Sequence, residues 1–145
     1  METILVRGRF HAGHRQLRHK GPCRFLHGHT WRGEIQISTE RFERDELDMT
    51  IDFGALKAVF KGLDHKFLVT AADTDLLDPE AFEPAGMVLL PGRGPSVENV
   101  ASYCLEQIVG VIAAKYPGLG LAYAIKVTIA ETDNNVFIVE EQRVV

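Results

Sequence analysis

Cys23-Arg24-Phe25-Leu26-His27-Gly28-His29-Thr30-Trp31-Arg32-Gly33-Glu34-Ile35-Gln36-Ile37-Ser38-Thr39 is the stretch on which the reading of this chain turns. Residues 28–39 are rich in β-branched and aromatic types and read as an extended strand. Side chains alternate along a strand, so His27 and His29 share one face, and Gly28 removes bulk from the other. A third imidazole, His14, stands upstream in Phe10-His11-Ala12-Gly13-His14. If the two segments pair in space, three imidazoles meet at one point. Three protein ligands and one open position are the usual plan of a catalytic zinc site. Cys23 lies four residues before His27. It either closes that site as a fourth ligand, which makes the zinc structural, or works beside it.

Outward from this stretch the pattern is that of an α+β protein. Residues 3–12 alternate and read as a first strand, with Ile4, Val6 and Gly8 on one face and Leu5, Arg7 and Arg9 on the other. The connection after His14 is basic, with Arg15, Arg18, Lys20 and Arg24, and Gly21-Pro22 marks it as a loop. Residues 40–50 are charged and read as an exposed turn. Asp52 is a suitable N-cap for a helix in which Phe53, Leu56, Val59, Phe60 and Leu63 recur at helical spacing, ending near Gly62. Residues 69–85 are acidic, contain Pro79 and Pro84, and read as a long surface loop; 87–90 is a short extended piece. Ser96 opens a second helix with a wide apolar stripe from Val97 to Ile112, stopped by Pro117-Gly118. Tyr123 to Ile129 alternate as a third strand, Asp133-Asn134-Asn135 is turn chemistry, and Val136 to Val139 make a fourth. The expectation is a four-stranded antiparallel sheet in the order ββααββ, with both helices on one face. Such a sheet has edges to cover, often with other subunits.

Composition narrows the function classes. A chain of 145 residues is expected to form one domain, residues 1–145, with a real core. Net charge is −4, against a nucleic-acid binder held by phosphate contacts. No apolar run approaches the roughly 20 residues that cross a bilayer, and the first residues carry no stretch of signal-peptide length. The expected location is the cytoplasm, where Cys23 and Cys104 are free thiols.

Several residues admit both a chemical and an ordinary role. Cys23 lies in a basic loop, and nearby positive charge favours a thiolate suited to act as base or nucleophile. Cys104, inside an apolar helix stripe, reads as a small core residue. Asp64-His65 is either a solvated helix terminus or a carboxylate that orients an imidazole. Ser96 and Glu98 are good helix-start residues in their own right. Glu131 either accepts two hydrogen bonds from an amidine-like N–H edge or faces solvent. His11 and His19 read as ordinary surface residues.

Taken together, the pieces resemble the 6-pyruvoyl-tetrahydropterin synthase and 6-carboxy-tetrahydropterin synthase family. The resemblance rests on Phe10-x-Ala12-x-His14, Cys23-x-x-x-His27-Gly28-His29, Ile51-Asp52-Phe53-x-x-Leu56-Lys57, Leu63-Asp64-His65, Pro95-Ser96-x-Glu98-Asn99 and Glu131-Thr132, in the family's order and across nearly the whole chain. It implies a T-fold (tunnelling fold), in which sheets of several subunits close into a barrel, usually as a trimer stacked into a hexamer. It implies that His14, His27 and His29 bind zinc and that Cys23 is the proton acceptor. Asp64 and His65 would form a relay reaching the site across a subunit interface. Glu131 would anchor the pterin and count with the relay, with Ser96 near the pterin where Thr is common. The implied substrate is 7,8-dihydroneopterin triphosphate, whose triphosphate the basic loop would meet. Three residues between Cys23 and His27-Gly28-His29 are like the 6-carboxy branch, which serves queuosine and deazapurine synthesis; the 6-pyruvoyl enzymes typically have a longer gap. The segment from Lys66 to Gly94 is longer than in compact members of the carboxy branch. A zinc- or pterin-binding module without catalysis is the alternative of another class.

Overall fold

Two long strands with a continuous register set the frame of the computed structural model, which describes residues 1–145. β1 (Glu2–His14) and β2 (His27–Thr39) are antiparallel and pair without interruption from Glu2 opposite Thr39 to His14 opposite His27. Their inward faces follow the predicted alternation. Ile4, Val6, Phe10 and Ala12 are buried from β1, and Trp31, Ile35 and Ile37 from β2. β5 (Ala122–Ala130) pairs with β2, and β6 (Val136–Val144) pairs with β5, both antiparallel.

The helices cover this inward face. α1 (Phe53–Lys61) starts where Asp52 accepts a hydrogen bond from the Gly54 N–H, and it buries Leu56, Val59 and Phe60. α2 (Val97–Lys115) is capped by Ser96, which accepts from the Asn99 N–H, and it buries Val100, Ala101, Cys104, Leu105, Ile108 and Ile112. α1 packs on β1, α2 on β5 and β6, and the two helices meet each other. Phe60 enters the sheet where Gly8 faces Gly33 across the ladder. A Cβ at Gly33 would lie 2.2 Å from the Phe60 ring and one at Gly8 2.7 Å from it, so the absent side chains are what admit the ring. Phe10 stacks between Phe60 and Trp31, with centroids 6.1 and 5.7 Å away.

The expected four strands are present and mutually antiparallel, but the sheet is larger than the sequence pattern suggests. β3 (Lys66–Val69) runs parallel to β1, and β4 (Met87–Leu89) runs parallel to β3. The sheet is therefore six-stranded and mixed, in the order β4-β3-β1-β2-β5-β6, and the chain runs ββαββαββ rather than ββααββ. The physical reason is local shortness. Four- and three-residue strands carry no readable period, and their partners lie far away in sequence. The segment read as a surface loop also buries Val69, Thr70, Asp73 and Leu76, and the charged turn at 40–50 is pinned by buried Phe42. β6 runs past Val139 to Val144, because an edge strand tolerates the charged Glu140, Glu141 and Arg143. No helix is long and apolar enough to cross a membrane.

Candidate metal centre and its cleft

The β1–β2 register places His14 directly opposite His27, and Ala12 opposite His29. His14, His27 and His29 therefore share the inward face, at the end of the ladder where the helices no longer cover it. Trp31 lies beneath them, its ring 5.1 Å from that of His14 and 5.4 Å from that of His29, and its indole N–H donates to the Ala12 carbonyl. The three imidazoles offer ligand atoms all within 4.8 Å of one another.

Two of the rings are oriented by backbone carbonyls. His14 Nδ1 lies 2.7 Å from the Pro95 carbonyl, and His27 Nδ1 lies 2.7 Å from that of Phe25. A ring that donates from Nδ1 keeps the Nε2 lone pair for a metal. The Nε2 atoms of His14 and His29 are buried without a hydrogen-bond donor or acceptor of suitable geometry. Burial pushes both imidazoles below the ordinary histidine value, against the pull of the nearby Glu131 carboxylate, and so favours the neutral form that ligates. Three imidazole nitrogens grouped at one point, with the rings of His14 and His27 held from behind, fit a zinc ion.

Beside the triad the chain forms a cleft that His14 lines. Its wall includes Cys23 and the basic loop from Arg15 to His19, Thr70, Ala72 and Asp73, Gly92 to Asn99, and Glu131. Cys23 is exposed, on the short 3₁₀ turn Pro22–Arg24. Glu131 follows β5 in a tight turn in which its N–H donates to the Asn135 carbonyl. Its Oε1 lies 3.2 Å from His14 Nε2. Glu131 thus faces the triad, and of the two sequence readings solvent exposure does not hold. Ser96 caps α2 as its helix-start reading requires, and it also lines the cleft. Cys104 is buried in the core, where desolvation pushes its thiol up to about 12.

Asp64 and His65 are not brought to this cleft. They form a pair, with Asp64 Oδ2 2.8 Å from His65 Nδ1, while Asp64 Oδ1 accepts the His11 backbone N–H at 2.7 Å. These bonds, the one from His11 first, hold the Asp64 carboxyl below the usual range. His65 sits at φ 57° with its ring 6.2 Å from that of His11. His11 is out of phase with His14 on β1, so the pair stands against the face of the sheet opposite the triad.

The basic loop is also less free than its composition suggests. The Arg15 guanidinium makes two 2.7 Å bonds to the buried Asp73 carboxylate, whose pKa it lowers, and Arg24 bonds the Lys20 and Gly21 carbonyls. Arg15 is committed to the fold, and Arg18 and Arg93 are the arginines on the cleft wall without an ion-pair partner. The parts sequence reasoning missed are the Asp73 anchor and the Pro95 carbonyl, 58 and 81 residues from their partners, with no local signal to reveal either.

Known proteins resemble this chain in sequence and in fold. The family model for 6-pyruvoyl tetrahydropterin synthase matches residues 3–142. A 6-carboxy-5,6,7,8-tetrahydropterin synthase of Rickettsia bellii is 32% identical over 104 residues, covering 68% of this chain and 74% of the relative. A probable 6-carboxy-5,6,7,8-tetrahydropterin synthase of Halobacterium salinarum is 30% identical over 127 residues, covering 86% and 77%. Among solved structures, the 6-pyruvoyl tetrahydropterin synthase of Plasmodium falciparum superposes with a TM-score of 0.71 at 19% identity, covering 98% of each chain. A Plasmodium vivax counterpart gives 0.70 at 21%, again over 98% of each chain. At such identities the structural likeness carries the fold alone, that of the tunnelling-fold synthases.

Proposed function

The chain belongs to the 6-pyruvoyl tetrahydropterin synthase family, and from that premise we propose that it is a zinc-dependent 6-carboxy-5,6,7,8-tetrahydropterin synthase. In this reading it converts 7,8-dihydroneopterin triphosphate, with water, to 6-carboxytetrahydropterin, acetaldehyde and triphosphate, in queuosine or deazapurine synthesis. Residues 1–145 act as one catalytic domain. The observation that carries the reading is the convergence of His14, His27 and His29 at one point, with His14 lining a cleft whose wall also holds Cys23 and Glu131.

Each residue has a role that follows from its place. His14, His27 and His29 hold the zinc, which when bound supplies a Lewis acid that acidifies the C–H and O–H groups of the substrate side chain. Cys23, exposed on the wall, takes a side-chain proton as thiolate. Glu131 accepts two N–H bonds from the pterin edge and fixes the ring. Ser96, at the start of α2, lines the pterin pocket, and Arg18 and Arg93 on the open wall face the triphosphate.

Asp64 and His65 act as the proton relay. They stand against the other face of their own sheet, so their participation requires a second copy of the chain, with the site completed at a subunit interface of a homotrimer or hexamer. The Asp64–His65 hydrogen bond supports this reading, since it holds the imidazole in one orientation for proton exchange.

The deciding experiment incubates zinc-loaded protein with 7,8-dihydroneopterin triphosphate and identifies the products by mass. The expected products are carboxytetrahydropterin and acetaldehyde. A pyruvoyl product would move the chain to the other branch, whose name the Plasmodium structures bear. The three residues between Cys23 and His27, and the 6-carboxy names of the sequence relatives, favour the carboxy product. No turnover with zinc bound would favour a pterin-binding module.

A further inference from the structure

The loop before α2 does more than lead into a helix. Pro95 is buried, and its carbonyl is the acceptor for His14 Nδ1 at 2.7 Å. A carbonyl can orient an imidazole only if it is itself held. Pro95 fixes its own φ and restricts Gly94 before it. The Gly94 carbonyl in turn accepts the side-chain amide N–H of Asn99 at 2.7 Å. Asn99 is anchored from its own side, because its backbone N–H donates to Ser96 Oγ at 3.3 Å.

The loop is also shaped around that amide. Gly92 has φ +96°, a conformation that favours glycine, and a Cβ there would lie 2.6 Å from Asn99 Nδ2. The chain therefore wraps the amide from Gly92 to Gly94 before presenting Pro95 to His14. The path from the Asn99 amide to the His14 ring runs through one hydrogen bond, one proline and a second hydrogen bond.

We propose that Asn99 is a positioning residue for the metal ligand His14, acting through the Gly94 and Pro95 carbonyls. Its side-chain amide is committed to the Gly94 carbonyl. It sets the direction of the Pro95 carbonyl, and thereby the ring angle and tautomer that aim His14 Nε2 at the metal. Any loosening at Asn99 is felt as weaker metal binding before it is felt as loss of fold. The inference rests on the reading of the histidine triad as a zinc site.

The test measures zinc affinity by competition with a chelator for wild type, Asn99→Asp, Gly92→Ala and Ile108→Val, together with the melting temperature of each metal-free protein. Asn99→Asp keeps the shape and removes the amide donor. Gly92→Ala disturbs the same contact from the loop side. Ile108→Val destabilises the core of the same helix away from the loop. Loss of an outer partner typically weakens metal binding about 10–100-fold. That loss is expected in Asn99→Asp and Gly92→Ala, with an altered visible spectrum of the cobalt(II)-loaded proteins, which reports ligand geometry. Ile108→Val should melt earlier and bind zinc as wild type does. Wild-type affinity in Asn99→Asp, or equal weakening in Ile108→Val, would overturn the proposal. A wild-type protein that binds no zinc would overturn the zinc reading and this inference with it, and it is read before any variant is compared.

Discussion

Glu131 Oε1 lies 3.2 Å from His14 Nε2, so a carboxylate of the cleft wall points at the nitrogen assigned to the metal. The same oxygen is 3.7 Å from His29 Nε2. A carboxylate next to two imidazoles stands within reach of both a metal and any ligand bound on it.

Glu131→Gln should keep zinc and lose substrate affinity. The change removes the charge while keeping the shape, so the bidentate acceptor proposed for the pterin edge becomes half a donor. A hydrogen bond to a charged group contributes about 1.5–3 kcal/mol, which corresponds to a fall in kcat/KM of roughly 10–150-fold. Steady-state kinetics on the zinc-loaded variant check this, and an unchanged kcat/KM would take Glu131 out of the site.

Cys23 and His27 should separate chemistry from metal binding. Cys23→Ala is expected to retain zinc at wild-type stoichiometry and to lose turnover, because the exposed thiol lies on the wall and not among the three nitrogens. His27→Ala is expected to lose the metal. Metal analysis beside an activity assay reads both, and a zinc-free Cys23→Ala protein would instead make Cys23 a fourth ligand.

Acid stability should depend on Asp73. Its carboxyl, bonded by Arg15, is held below the ordinary value, so the folded state binds its proton less readily than the unfolded chain. A depressed carboxyl contributes stability above its unfolded value near 4, and loses it as the pH falls through the folded value. Asp73→Asn should therefore lower the urea midpoint at pH 7 and narrow its gap to wild type by pH 3. A gap that stays constant across that range would mean the ion pair carries no pH-dependent stability.

Gly33→Ala should destabilise by overpacking. The new Cβ would fall 2.2 Å from the Phe60 ring, and there is no flexible chain end to yield. Overpacked cores lose about 1–3 kcal/mol. Pairing it with Phe60→Leu should recover part of that loss, and a strictly additive double variant in denaturant unfolding would show that the two positions do not press on each other.

The legible part of the fold was the part with a period. β1, β2, β5 and both helices carry long alternating or helical stripes, and their caps, Asp52 and Ser96, were readable at the residue. β3 and β4 were not, because Lys66–Val69 and Met87–Leu89 are too short for a pattern and are fixed by parallel partners elsewhere. At the site, the same-face spacing of His27 and His29 was local information. The meeting of His14 with them depended on a register that spacing alone does not state. Arg15 read as free charge because nothing near it in sequence announces Asp73.

The uninterrupted ladder of β1 and β2 has a consequence for how such a chain can vary. Every residue from Glu2 to His14 has its partner, with no bulge to absorb an extra one. One inserted residue within either strand would turn all side chains beyond it to the opposite face, dispersing the imidazoles or exposing the core. Within this hairpin, insertions and deletions leave the strand faces in phase only where pairing stops, in the excursion from Arg15 to Leu26. That excursion carries Cys23, so the ladder works as a fixed ruler beside an adjustable arm. Length changes there move the Cys23 thiol while leaving the histidines in place.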